Sequence, residues 1–141
     1  EIADGKVHTG KTILNFSLFD QTKLTCGAFD TRDSYQNGKE LATSLLEEET
    51  RLFIVFADGL QTNGEKLLDG ISHIDQSLKV AGGMAGDYAS FTQTFVFTRD
   101  CILSHGAVAV SLNGKRLRIF NDYNYHWQKI GKELTITKCQ D

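Results

Sequence analysis

Several features are missing from this sequence, and each absence narrows what the chain does. Proline is absent. No apolar run is long enough to cross a bilayer, so direct membrane insertion is excluded. The three cysteines form no C-x-x-C pair, which argues against a disulfide framework or a thiolate zinc site and favours reduced thiols in the cytoplasm. With 15 basic and 18 acidic residues and no basic stripe, nucleic acid is not an expected partner.

The composition that remains is that of one globular domain. Of the 141 residues, 40% are hydrophobic and 23% are charged, and no Pro/Ser-rich or low-complexity stretch suggests an internal linker. We therefore expect a single domain over residues 1–141. Because the chain begins at Glu1 without an initiator methionine, we expect that this domain is truncated at its N-terminal end.

The stretch from Leu52 to Asp87 predicts a strand, a helix and a second strand. Its first five residues are an apolar run rich in β-preferring side chains, which breaks at Asp58. Thr62 and Glu65 have the spacing of a capping box, which predicts the start of the helix. Ligands of open α/β sheets usually lie beyond the carboxyl ends of such strands, so this end of the unit is the expected pocket.

A glycine-rich loop follows the second strand, which we predict over residues 79–81. It contains Gly82, Gly83 and Gly86 and ends at Asp87. Glycines allow a ligand to approach the backbone closely, but the loop lacks the lysine and hydroxyl residue of a phosphate loop. A ligand-facing loop and a plain tight turn therefore remain as alternatives.

The flanking segments predict a largely antiparallel sheet. Apolar and polar side chains alternate in residues 11–18, which together with residues 23–29 predict an antiparallel pair of strands. Apolar residues recur at helical spacing over residues 34–49, which predicts a helix with Ser34 as its cap. Further extended runs, joined by turns that include Asn113-Gly114, predict a meander over 91–98, 101–104, 107–112 and 117–121, with a last strand over 134–138. The fold class is α+β, a mixed sheet with two flanking helices, or two layered sheets in an α-β-β-α arrangement if an apparent internal duplication is real.

Two carboxylates lie at the expected pocket. Asp87 and Asp58 are each able to bind a ligand ammonium, or to tie down their own turns through local hydrogen bonds. We interpret Asp87 as the functional one of the two and Asp58 as the turn residue.

The histidines and cysteines are weaker candidates for a binding or catalytic site. The four histidines form no H-x-x-x-H or H-E-x-x-H pair, and only His105 and His126 are placed to reach a pocket. Cys26 and Cys101 occur in apolar strands, where inert buried thiols are common, so catalysis is not expected. The loop that contains Trp127 brings further aromatic side chains that would wall a pocket or cap the core.

Five segments carry a resemblance to a known family: LFIVFADGLQTNGEKLLDGI, VAGGMAGD, QTFVF, SHGAVAVSL and HWQKIGKELTITK. In this order they resemble the N-terminal domain of the FIST family, over nearly the whole chain. The family pattern covers Asp58-Gly59, Asn63-Gly64, Gly82-Gly83, Ala85-Gly86-Asp87, residues 95–97, Gly106, and Trp127 with Gly131. His126 and Lys129 stand where the family commonly has glycine and proline.

The resemblance implies a bacterial intracellular sensory domain, not an enzyme, that binds a small ligand such as an amino acid or related metabolite. Its expected partners are a C-terminal FIST-type domain and an output domain, namely a chemotaxis transducer, a histidine kinase or a cyclic-di-GMP enzyme. No cofactor or metal is expected, although a haem-binding nitric-oxide sensor is the alternative and a cysteine-dependent enzyme a more distant one. The expected ligand-binding residues are Asp58, Asn63, Gly82, Gly83, Gly86, Asp87, His105, His126 and Trp127.

Overall fold

The fold combines a four-stranded mixed sheet with two helices, which is the α+β class expected from the sequence. The structure, a computed structural model, describes residues 2–3, 5–120, 122, 130–131, 135 and 137–138. Within these ranges the elements in chain order are β1 Ile2–Ala3, β2 Lys6–Val7, β3 Lys23–Phe29, α1 Ser34–Leu45, β4 Thr50–Ala57, α2 Gly64–Ile74, β5 Lys79–Met84, β6 Val96–Phe97, β7 Ile102–Leu103 and β8 Ala107–Asn113.

The main sheet has the strand order β3-β8-β4-β5. Strand β8 lies between β3 and β4 and pairs antiparallel with both, while β4 and β5 are parallel, as expected for strands joined by a crossover helix. Two small antiparallel hairpins, β1-β2 and β6-β7, lie outside this sheet.

Two predictions about strand pairing are wrong. Residues 8–22, all of them described, form no strand, and Leu18 in this run is 99% exposed. The partner of β3 is β8, in register over its whole length, so the alternation of residues 11–18 has no neighbouring strand to pair with. Of the predicted meander, the first hairpin is confirmed as the β6-β7 pair. The rest is wrong, because β8 pairs with β3 and β4 and residues 117–120 are not a strand. Of the last predicted strand, 134–138, residues 135, 137 and 138 are described and belong to no strand, while residues 134 and 136 lie outside the described ones.

The N-cap residue of each helix lies one position away from the predicted cap. Asp33 caps α1 and accepts a hydrogen bond from Gln36 N, whereas the predicted cap Ser34 is buried inside the helix. Helix α1 also ends at Leu45, earlier than predicted, so the acidic run that follows lies outside the helix. In the last turn of the helix these carboxylates would oppose the helix dipole. Neither helix is long and apolar enough to cross a membrane among the residues that the structure describes.

The hydrophobic core lies between the helices and one face of the sheet. The core side chains come from both helices and from the two central strands: Leu41, Ala42, Leu45, Leu67, Ile71, Phe53, Val55, Ala57, Ala107 and Ala109. The helices cross at glycines, since a Cβ on Gly38 would overlap the carbonyl oxygen of Leu67 and a Cβ on Gly70 that of Tyr35. Close helix packing therefore depends on these two positions having no side chain.

The opposite face of the sheet is also apolar, and neither helix covers it. We call it the open face. Strand register places on it three rows of four residues, namely Leu24-Leu112-Leu52-Lys79, Cys26-Val110-Ile54-Ala81 and Ala28-Val108-Phe56-Gly83. A sheet that is apolar on both faces is normally covered on both.

Candidate functional site

Asp58, directly after β4, holds together the carboxyl end of the sheet. Its side chain is fully buried, and Oδ1 accepts hydrogen bonds from Leu60 N at 3.0 Å and Gln61 N at 2.7 Å. Oδ2 accepts from the Thr62 hydroxyl and from Gly106 N at 3.2 Å, just before β8. These bonds use both carboxylate oxygens within the protein, so Asp58 fixes the turn and joins it to the start of β8.

The pKa of Asp58 reflects two opposing effects. Burial raises it, but the hydrogen bonds from Thr62, Gln61, Leu60 and Gly106 lower it by more, so the pKa lies below the usual range of an aspartate. Asp58 is therefore charged at neutral pH.

Asn63 is the N-cap of α2. Its Oδ1 accepts a hydrogen bond from Lys66 N at 3.0 Å, and its backbone N–H donates to Ser34 Oγ at 2.9 Å. The capping-box pattern predicted Thr62 as the cap, and the observed cap is the next residue. Thr62 is instead engaged with Asp58, which leaves the adjacent amide side chain to cap the helix.

The three glycines of the predicted loop have different environments. Strand β5 continues past the predicted end to Met84, so Gly82 and Gly83 lie within it. Gly82 has a φ of +148° and a Cβ there would overlap the carbonyl oxygen of Val55, so this glycine is required by the sheet. A Cβ on Gly83 or on Gly86 would meet nothing within 4 Å. Only the latter two glycines face free space.

Asp87 organises the loop that follows β5. Its Oδ2 accepts hydrogen bonds from Thr92 N at 2.7 Å and Gln93 N at 3.3 Å, and its carbonyl oxygen accepts from Ser90 N at 3.2 Å. The bond from Thr92 N lowers the carboxyl pKa most, and the carboxylate is charged at neutral pH. The side chain that we interpreted as a ligand contact therefore already holds its own loop.

This loop has an unusual backbone. Tyr88, Ala89 and Phe91 have φ values of +58°, +60° and +51°, in the left-handed region that non-glycine residues rarely adopt. The side chains of Tyr88 and Phe91 are exposed. The Asp87 hydrogen bonds span these three residues, so they stabilise a conformation that the residues themselves disfavour.

A cavity of about 420 Å³ lies where β5 ends, and we call it the Gly83 cavity. It is lined by Phe56, Gly83, Met84, Ala85, Phe95, Val96, Phe97 and Val108. The lining comes from the open face on one side and from hairpin β6-β7 on the other. Three aromatic rings and the thioether of Met84 make it mainly apolar, and its volume falls in the range of small-molecule sites.

A second cavity of about 590 Å³, the sheet-face cavity, shares Phe56, Phe97 and Val108 with the first. Its other walls come from the open face and from the turn of hairpin β6-β7: Cys26, Gly27, Ala28, Ile54, Thr98, Arg99, Asp100, Ala109 and Val110. Arg99 and Asp100 form an exposed ion pair at 3.2 Å on that turn. The Phe97 ring thus lies at the boundary of both cavities.

His105 lies apart from these cavities. It lines a space of only about 80 Å³ together with Arg32, Thr62 and Gly106, among others. That volume has room for a few water molecules but not for a haem, and His126 and Trp127 lie outside the described residues. Haem binding stays a prediction that a visible spectrum after haem addition would test.

The described cysteines and the described side chains able to bind a metal form no second site. Cys26 is exposed on the open face, not buried as expected, and Cys101 Sγ lies 3.4 Å from the Thr98 hydroxyl oxygen. Cys139 is not among the described residues. Over the described part of the chain, no group of three or more His, Cys, Asp or Glu side chains is arranged to hold a metal ion.

Sequence reasoning missed most of the residues that line the Gly83 cavity. Of the seven expected site residues that the structure describes, only Gly83 lines it, while Phe56, Met84, Phe95 and Phe97 were not proposed as site residues. One signal was present in the sequence: alternation along β4 places Phe56 on the face opposite to Phe53. What the alternation does not show is that this opposite face is uncovered.

The fold and the cavities define a class, an α+β domain with helices on one sheet face and ligand-sized apolar cavities on the other. The family model of the FIST N domain matches residues 1–141, and the chain belongs to this family. The FIST domain is a sensory domain of signal-transduction proteins. Comparisons with curated proteins and with solved structures find no match.

Proposed function

We propose that this domain senses a small molecule with an apolar body, an amino acid or a related metabolite, by binding it in the Gly83 cavity. The observation that carries the proposal is the position of this cavity at the carboxyl ends of the parallel strands β4 and β5. Ligands of open sheets that contain parallel strands typically bind at these ends.

The chemistry of the lining supports an apolar ligand body. Phe56, Phe95 and Phe97 are 52%, 53% and 71% exposed, so these rings lack packing partners that a ligand would supply. Gly83 offers backbone without a side chain, which lets a ligand approach the sheet closely. Charged carboxylates at Asp58 and Asp87 nearby in the chain hold the surrounding loops in place and are not required as direct contacts.

Hairpin β6-β7 is the element that would report occupancy. Each of its strands has two residues, and Thr98 N donates to the Cys101 carbonyl oxygen at 2.9 Å to close it. A hairpin this short is marginally stable alone, so contacts between a ligand and Phe97 would shift its position or order. In the proposed signalling protein this change passes to a C-terminal FIST-type domain and then to a chemotaxis transducer, a histidine kinase or a cyclic-di-GMP enzyme.

Binding is tested by titration calorimetry with the standard amino acids and their keto-acid and amine derivatives. We expect saturable binding of at least one apolar member, and at least a tenfold loss of affinity in Gly83→Val, because the new side chain enters the cavity. Gly86→Val is the matched control, since a Cβ there is equally unobstructed but Gly86 does not line the cavity. Equal affinity in Gly83→Val and the unsubstituted protein would remove the Gly83 cavity as the site.

The relay is tested separately by hydrogen exchange of residues 96–103 with and without a ligand found in that screen. Slower amide exchange in the hairpin on binding is the expected result. Binding without any change in the hairpin would leave the site intact but refute the proposed relay.

A further inference from the structure

A cavity of about 320 Å³, which we call the basic cavity, lies at the edge of the sheet opposite to the Gly83 cavity. Strands β4 and β5 begin at this edge and β8 ends there, because β8 runs antiparallel to β4. Strand β4 is eight residues long, so roughly 20 Å separates the two cavities. Basic residues from three separate segments of the chain line the basic cavity: Arg51, Lys79, Lys115 and Arg118.

Three of these four cations have no acidic partner. In the described part of the chain, the side chains of Arg51, Lys79 and Arg118 make no ion pair. The fourth cation, Lys115, has its Nζ 3.1 Å from Glu49 Oε1. All four basic residues are exposed, so a ligand reaches the three unpaired cations without breaking an ion pair within the protein.

Negative charge close to the basic cavity does not cancel these cations. Asp75 is the one acidic residue of the lining, and its Oδ1 already accepts hydrogen bonds from Ser77 N at 2.8 Å and Ser77 Oγ at 2.7 Å. Asp75 is also the C-cap of α2, whose dipole adds about half a negative charge. With Glu49 counted as well, a net charge of about +1.5 remains at the cavity, although the whole chain has a formal net charge of −3.

We propose that the basic cavity binds a compact polyanion, a small molecule that carries two or more phosphate or carboxylate groups close together. Guanidinium groups bind both kinds of group through paired hydrogen bonds, and the lysine ammonium groups add charge without a fixed geometry. The volume of about 320 Å³ is that of a small-molecule site. One local cluster in an acidic chain is not the extended basic surface that nucleic acid requires. The proposal does not rest on the ligand of the Gly83 cavity.

Titration calorimetry of the 141-residue chain with pyrophosphate and, separately, with citrate tests the proposal. We expect saturable binding of at least one of these anions, weaker at physiological than at low ionic strength because salt screens exposed charges. Binding of pyrophosphate identifies a phosphorylated ligand, and binding of citrate alone identifies a polycarboxylate. Absence of binding of both anions at low ionic strength would overturn the proposal.

Two neighbouring arginines separate a defined site from diffuse attraction. Arg118→Gln should weaken the binding at least tenfold, because it removes one of the three unpaired cations. Arg116→Gln is the matched control, since Arg116 is also exposed but does not line the cavity and donates instead to Gln21 Oε1 at 3.4 Å. Equal weakening in the two variants would overturn the proposal.

Gly83→Val locates the anion relative to the other cavity. This variant should bind pyrophosphate or citrate as tightly as the unsubstituted protein, because Gly83 lies at the opposite end of the sheet. Loss of anion binding in Gly83→Val would contradict the assignment to the basic cavity. Circular dichroism of each variant establishes that it is folded before its affinity is measured.

Discussion

Replacement of Asp58 by asparagine tests whether this residue is a structural anchor. The carboxylate accepts two backbone hydrogen bonds on Oδ1 and two further bonds, from Thr62 and Gly106, on Oδ2. An amide has one acceptor oxygen and presents N–H groups in place of the other. Whichever way the amide is oriented, two of the four donors keep only a neutral acceptor and the other two face an N–H group with no acceptor.

The expected loss of stability follows from these two donors. A hydrogen bond to a charged group contributes about 1.5–3 kcal/mol, and a buried donor left without a partner costs a similar amount. In one orientation the amide oxygen keeps the hydrogen bonds from Leu60 N and Gln61 N. The Thr62 hydroxyl then rotates and accepts a hydrogen bond from the new N–H group, while the Gly106 N–H is left without an acceptor. We therefore expect the free energy of unfolding to fall by about 3 kcal/mol, a large part of the 5–15 kcal/mol typical of a domain.

Urea unfolding at pH 7, followed by far-ultraviolet circular dichroism, measures this loss. Asp87→Asn is the control, because its hydrogen bonds lie within one exposed loop, and its midpoint should remain within error of the unsubstituted protein. A loss below about 0.5 kcal/mol in Asp58→Asn would refute the anchor, since one unpaired buried amide alone costs more than that.

The same variant makes a prediction about pH. Because the pKa of Asp58 is lower in the folded protein than in the unfolded chain, its contribution to stability is fully present above the unfolded value of about 3.9. That contribution is lost as the pH falls through the lower folded-state pKa. The stability difference between the unsubstituted protein and Asp58→Asn should therefore shrink below about pH 4, and a difference that persists undiminished at pH 2 would contradict the assignment.

Three further substitutions test the fold by the same unfolding assay. Phe53→Ala empties the centre of the helix-side core and should cost about 3–5 kcal/mol; a much smaller loss would show that the core collapses around the gap. Gly70→Ala forces a Cβ against the Tyr35 carbonyl and should cost about 1–3 kcal/mol, whereas Gly64→Ala, with only the Met84 side chain nearby, should be neutral or stabilising. Asn63→Ala removes the N-cap of α2 and should cost about 1 kcal/mol, while Asn63→Asp should retain the cap; equal losses in the two would argue against capping.

The candidate site was only partly predictable, and the glycines show why. Gly82 and Gly83 are adjacent and identical, yet a Cβ on Gly82 would overlap the Val55 carbonyl oxygen, whereas Gly83 has room for one and lines the Gly83 cavity. The difference arises because alternate residues of a strand face opposite sides and because β5 lies directly beside β4. Neither the position of β5 nor the cavity beyond it can be read from the residues themselves.

The sequence by itself determined the local elements of this protein. The strand-helix-strand unit from β4 to β5, the amphipathic helices and the turn at Asp58 follow from short-range periodicity and from side chains that bond to their own backbone. Tertiary structure alone decided which strands are neighbours, that β8 inserts between β3 and β4, and that residues 11–18 pair with no strand. The physical reason is that backbone hydrogen bonds between strands are the same for every residue type, so alternation determines which side chains share a face but not what lies beside or above it. The apolar run of β4 predicts a strand, and only the fold shows that the helices cover one of its sides and not the other.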